Sequence, residues 1–253
     1  MAGRLDFIQG RVRAGSATSN ASFRALAIDG RDEVIQVAQL GSSRDADKRA
    51  ILIGGIHGDE PAGVEALTQF IENGAWRRFP RVQFTIFPCL NPVGYASHTR
   101  ENGAGMDVNR SFRGHGTAES RAVRADLEGL RFDCFYDMHE DVDQTGFYMY
   151  EAPGGHDWAP EIIKVVAESG PILLNGSPEP DFPYEVKNGM MQFPGNVEAL
   201  FEETDEWPLG VYLRSECSPG GLGAESPGKL QKEQRVVMQL AGLNRMLELL
   251  SGG

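Results

Sequence analysis

Four short apolar runs, each of strand length and each giving way to a polar or helical segment, limit this chain to few folds. "EVIQVAQLG" (33 to 41) alternates apolar and polar residues as a half-buried strand does, whereas "AILIGG" (50 to 55), "VQFTIFP" (82 to 88) and "FDCFYDM" (132 to 138) suit strands covered on both faces. Helical patterns lie between and after them. Val64, Leu67 and Ile71 share one face after Glu60, with Pro61 suited to a first helical turn. Val123, Leu127 and Leu130 mark a second helix near 118 to 130. Val236, Val237, Leu240, Leu243 and Leu247 mark a last one over 228 to 250, whose stripe reads as core packing. Strand and helix in alternation predict an α/β fold with helices on both faces of a largely buried sheet. No repeat, low-complexity block or linker divides the chain, so residues 1–253 are expected to form a single domain. Such sheets take ligands at the carboxyl ends of their strands.

Composition narrows the partners. No apolar stretch approaches the roughly 20 residues of a spanning helix, and "MAGRLDFIQGRVRAGSA" lacks the apolar centre of a signal peptide, so a soluble cytoplasmic protein is expected, with no membrane partner. A net charge of −12 argues against a phosphate backbone, whose binding rests on clustered Lys and Arg. Cys89, Cys134 and Cys217 are odd in number and widely spaced, which suits buried small side chains rather than disulfides or a thiolate metal site.

"LIGGIHGDEPAG" (52 to 63) places polar chemistry at a strand-to-helix junction. His57 and Glu60, three apart, can aim an imidazole nitrogen and a carboxylate at one point, and zinc accepts both. His139 in "FYDMHED", again at a strand end, is the best third ligand. Two histidines and a glutamate leave a fourth position for water, the arrangement of a catalytic zinc. Residues 89 to 114 form a turn-rich loop of a length more often functional than connecting. It carries Arg100, Asn109 and Arg110. A guanidinium fork beside an amide suits a substrate carboxylate, although loop arginines in isolation also pair with surface acids.

Taken together, "GGIHGDEPAG", "NPVGY", "RENGAGMDVNRSF", "DMH" and "LRSECSP" (213 to 219), in that order, resemble the zinc carboxypeptidase family of the carboxypeptidase A type and its deacylase relatives. The resemblance implies a mixed twisted sheet flanked by helices, with one zinc ion per chain on His57, Glu60 and His139. It further implies that Arg100 polarises the scissile carbonyl and that Asn109 with Arg110 holds a free carboxylate. Glu216, closing an expected strand "GVYLRSE", matches the family's general base. The implied reaction is hydrolysis of an amide next to a free carboxylate, on a small peptide or an N-acyl amino acid. A metallocarboxypeptidase is the first reading. A succinylglutamate desuccinylase or aspartoacylase type of deacylase is the second, and a zinc-binding module without turnover a third. The family's loop tyrosine has no matching motif; Tyr184 and Tyr212 are present and take no assigned role. Glu140, Asp141 and Asp143 fit either acceptors orienting His139 or a solvated turn. His98, His115 and His156 read as surface residues.

Overall fold

The computed structural model describes residues 10–11, 20–42, 44–151, 155–176, 184–191 and 198–252. The amino-terminal stretch read above for a leader, residues 10 and 11 apart, lies outside these, as do residues 180–183 before Tyr184.

Among the described residues, ten strands form one mixed sheet in the order β1-β2-β4-β3-β5-β10-β6-β9-β8-β7. They are β1 (Ala21–Ala27), β2 (Val34–Leu40), β3 (Lys48–Gly54), β4 (Val82–Phe87), β5 (Cys134–Asp141), β6 (Tyr148–Glu151), β7 (Asn175–Gly176), β8 (Val186–Lys187), β9 (Met190–Met191) and β10 (Gly221–Pro227). The centre is parallel: β4, β3, β5 and β10 run the same way, with β2 and β6 antiparallel beside them. Six α-helices with described bounds accompany the sheet: α1 (Pro61–Glu72), α2 (Pro92–Ser97), α3 (Ala118–Leu127), α4 (Ala159–Val166), α5 (Leu209–Glu216) and α6 (Lys232–Leu250). None of the helices among the described residues is long and apolar enough to cross a membrane.

The alternation of β3 decides the two layers. Ala50 and Leu52 point into a core shared with α1, α4 and α6, while Ile51 and Ile53 point into a second core with α3 and α5. Each buried Leu or Ile contributes about 1.5–3 kcal/mol. The chain leaves β3 towards β4 on one side, and β5 takes the other side, so the carboxyl ends of β3 and β5 form a switch point of the sheet.

The four apolar runs are all strands, and the three helical patterns are all helices. "GVYLRSE" is not a strand but helix α5. Its apolar residues Leu209, Val211 and Leu213 alternate as a strand's do, yet Pro208 precedes the first turn and Asn109 Oδ1 accepts a 2.8 Å bond from the Leu209 N–H, satisfying a donor that a helix start leaves open. The strand that enters the sheet is β10, "GLGAESP", which carries no hydrophobic pattern. Its small residues make room for rings: a side chain at Gly221 would collide with Phe135 on β5, and one at Gly223 would meet Tyr150 on β6.

Candidate metal centre

The junction after β3 is built for close approach. Gly58 lies against the backbone of Gly94 and Tyr95, where no Cβ fits, and Asn91 caps α2 by accepting a 3.0 Å bond from the Gly94 N–H. The loop is thereby held over the sheet end. Glu60 then stands at the start of α1, followed by Pro61.

His57, Glu60 and His139 are all buried, and one ligand atom from each falls within 4.8 Å of the others. His57 Nδ1 is 2.5 Å from Glu60 Oε1, and His139 Nδ1 is 3.0 Å from Glu60 Oε2. The outer nitrogens face carboxylates: His57 Nε2 is 3.3 Å from Asp107 and His139 Nε2 is 3.1 Å from Asp137. A neutral ring that donates its Nε2–H outwards presents a bare Nδ1 lone pair to Glu60. Three like-charged or electron-rich atoms then converge, an arrangement that needs either protons or a cation between them. The donor set therefore fits a metal ion, with each histidine held by an outer carboxylate as in carboxylate–histidine–metal chains.

Electrostatics agree. Burial would lower both histidines, but Glu60 with Asp107 raises His57, and Asp137 with Glu60 raises His139 well above its ordinary value. Burial would likewise raise Glu60, yet the two rings bring it down to about 2.

Arg100 reaches the same point. Its Nη1 is 3.4 Å from His57 Nδ1 and 3.9 Å from Glu60, while its Nε and Nη2 donate to Asp107 at 3.1 and 3.0 Å. Asp107 thus fixes a ring and a guanidinium together. Asn109 is buried, and its Oδ1 is committed to α5. Arg110 is exposed, with Nη1 donating to the Asn109 carbonyl at 2.9 Å.

Glu216 requires a correction. It is exposed at the end of α5, where it lines a cleft of about 720 Å³ with Phe112, Arg131, Trp207, Tyr212 and Cys217. The strand that follows explains why it is far from the histidines. Gly221 pairs with Phe135 at the amino end of β5, and Glu225, four residues or about 13 Å further along, is the register partner of His139. In a parallel ladder, register partners point to the same face. Glu225 thus shares the face of His139, and burial, then Glu60 and Asp141, push its carboxyl up to about 8 against the pull of the two histidines.

Other residues also take new places. Asp137 and Asp107 are the acceptors that hold the rings; a period of two puts Asp137 on the His139 face, the one signal that could have found it. Glu140 faces away from His139, towards α1 and α6. Asp141 accepts from the Tyr148 hydroxyl at 2.9 Å. His98 and His115 are exposed, whereas His156 is half-buried, stacked on Trp158 with ring centroids 4.0 Å apart. Tyr212 lies on α5, packed 5.8 Å from Phe112.

Residues 46–157 match the family model of the succinylglutamate desuccinylase/aspartoacylase catalytic domain. Carboxypeptidase SOL1 of Arabidopsis thaliana is 26% identical over 125 residues, a match that covers 42% of this chain and 26% of that protein, so the chain spans about a quarter of its relative's length. Among solved structures, a candidate metallopeptidase from Shewanella denitrificans OS217 superposes with a TM-score of 0.79 at 20% identity, covering 98% of this chain and 90% of the other. A second, from Shewanella amazonensis SB2B, gives 0.77 at 22% identity with 97% and 90% covered. Carboxypeptidase A from Helicoverpa armigera gives 0.68 at 13% identity with 98% and 73% covered. The fold is shared with these metallopeptidase structures, and the His-Glu-His set is a donor cluster that could hold a metal ion. The fold is similar to that of these metallopeptidase and carboxypeptidase structures, and the segment that the family model matches is the one carrying His57, Glu60 and His139.

Proposed function

We propose that this protein hydrolyses an amide bond next to a free carboxylate, most simply as a zinc metallocarboxypeptidase. The observation that carries the reading is the register pairing of Glu225 with His139, which sets a partly exposed carboxyl of raised pKa beside the metal-binding set. Zinc suits two imidazoles and one carboxylate, and when bound supplies Lewis acidity and a water of lowered pKa. Glu225, rather than Glu216, takes the proton of the attacking water and returns it to the leaving nitrogen, a role suited to a carboxyl titrating near neutrality. Arg100 stands where negative charge develops on the carbonyl oxygen. Arg110 and the amide nitrogen of Asn109 hold the substrate's free carboxylate.

A second reading, an N-acyl amino acid deacylase, is favoured by the family model matched over residues 46–157. The two readings share every group named here and differ in what lies beyond the scissile carbonyl.

The test is bound metal first, then release of carboxy-terminal residues from peptides compared with hydrolysis of N-acyl amino acids by the zinc-loaded protein. Peptide cleavage supports the first reading, and deacylation alone replaces it with the second. Stoichiometric zinc with neither activity favours a binding module. For whichever substrate is cleaved, Arg110→Ala should cost about 1.5–3 kcal/mol of binding, the range for hydrogen bonds to charged groups. Amidated analogues should be unaffected, and equal weakening of both removes Arg110 from the anchor role.

A further inference from the structure

We propose that α6 positions the metal-binding set through Arg235 and Gln239, an inference that rests on the metal-centre reading above. The two residues are four apart, hence on one helical face. Both reach the strand ends that carry the site.

Arg235 ion-pairs with Glu140, whose side chain is fully buried. Glu140 Oε1 accepts a 2.5 Å bond from the Ala62 N–H in the first turn of α1, and the Glu140 N–H donates to Glu60 Oε2 at 3.2 Å. One carboxylate therefore ties α6 to the helix start that presents Glu60 and to the strand that presents His139. Gln239 is fully buried, and its Nε2 donates to the His139 carbonyl at 2.8 Å and to the Ala224 carbonyl at 3.2 Å. It bridges β5 and β10 at the third ligand and at the residue before Glu225.

Packing does not require these groups. α6 already buries Val236, Met238, Leu243, Met246 and Leu247 in the core, and a buried ion pair stabilises no better than apolar side chains of similar volume. What the polar pair adds is direction. Glu140 and Gln239 together hold the peptide unit that follows His139, so the angle at which its ring meets Glu60 is set from α6.

The experiment measures zinc dissociation constants by competition with a chromophoric chelator, alongside melting temperatures. Arg235→Met and Gln239→Leu are expected to weaken zinc about 10- to 100-fold, the range for residues that orient ligands, and Arg235→Lys to recover most of the loss. Leu243→Ala, on the same helix but in the apolar core, is the control: it should lower the melting temperature and leave zinc affinity unchanged. Should Arg235→Met fail to fold, Gln239→Leu and Arg235→Lys carry the test. Wild-type affinity in both Arg235→Met and Gln239→Leu, or equal weakening by Leu243→Ala, overturns the proposal while leaving the ligand set intact. A wild-type chain that takes no zinc overturns the ligand set and this proposal with it.

Discussion

Two glutamates, one before β10 and one on it, stand in opposite settings. Before the amino end, Glu216 closes α5 in water, bonded to its neighbour Ser215 and beside an open cleft. Towards the carboxyl end, Glu225 stands among Glu60, Asp141 and two histidines, where burial and neighbouring negative charge push its carboxyl up to about 8. Both lie in similar local sequence, "SECSP" and "AESP". The difference teaches that a carboxylate becomes chemically useful by where the sheet delivers it, since burial among other charges changes how readily a carboxyl gives up its proton.

The contrast can be broken in order of expected effect. His139→Ala should bring metal content of the purified protein down to background; stoichiometric metal measured by atomic emission would remove His139 from the ligand set. Glu225→Gln should keep metal and lower kcat about 10²- to 10⁴-fold, the range of general acid–base catalysis, while Glu216→Gln stays near wild type. The reverse outcome would return the base to Glu216. Next comes pH. The raised pKa values of His57 and His139 mean that the metal-free protein keeps these protons further up the pH scale, and bound metal must displace them. Apparent metal affinity should therefore rise with pH, about tenfold per unit for each proton displaced, and an affinity flat between acid and neutral pH would contradict the protonated pair. Smallest is Asn109→Ala, which leaves the Leu209 N–H unpaired in a buried place. Its cost should be about 1–3 kcal/mol in denaturant unfolding, with α5 as the element released, and an unchanged midpoint would show that Asn109 does not hold that helix.

Much of the metal centre is legible from residue order because its donors sit at strand ends that hydrophobic patterning reveals. β3 and β5 are apolar enough to announce themselves, and His57, Glu60 and His139 follow or close them. The place of the proposed base is not legible in that way. β10 is glycine, alanine and serine around one leucine, with Glu225 and a closing proline, since it accepts the rings of Phe135 and Tyr150, so nothing in its own residues marks a central strand. Helix α5, by contrast, alternates like a strand over Leu209 to Leu213, and only its contact with Asn109 across 100 residues reveals its start. The same holds for α6. Its apolar stripe suggests packing, and the reach of Arg235 and Gln239 to the strand ends appears only once the helix is laid on the sheet.

Taken alone, the sequence determined the α/β layering and the donor types that stand at the strand ends, because periodicity and donor chemistry are local properties of the chain. The tertiary structure decided which glutamate faces His139, which aspartates hold the two rings, and what α6 grips. Those choices depend on register between strands far apart in sequence, and register follows from side chains packing across the sheet.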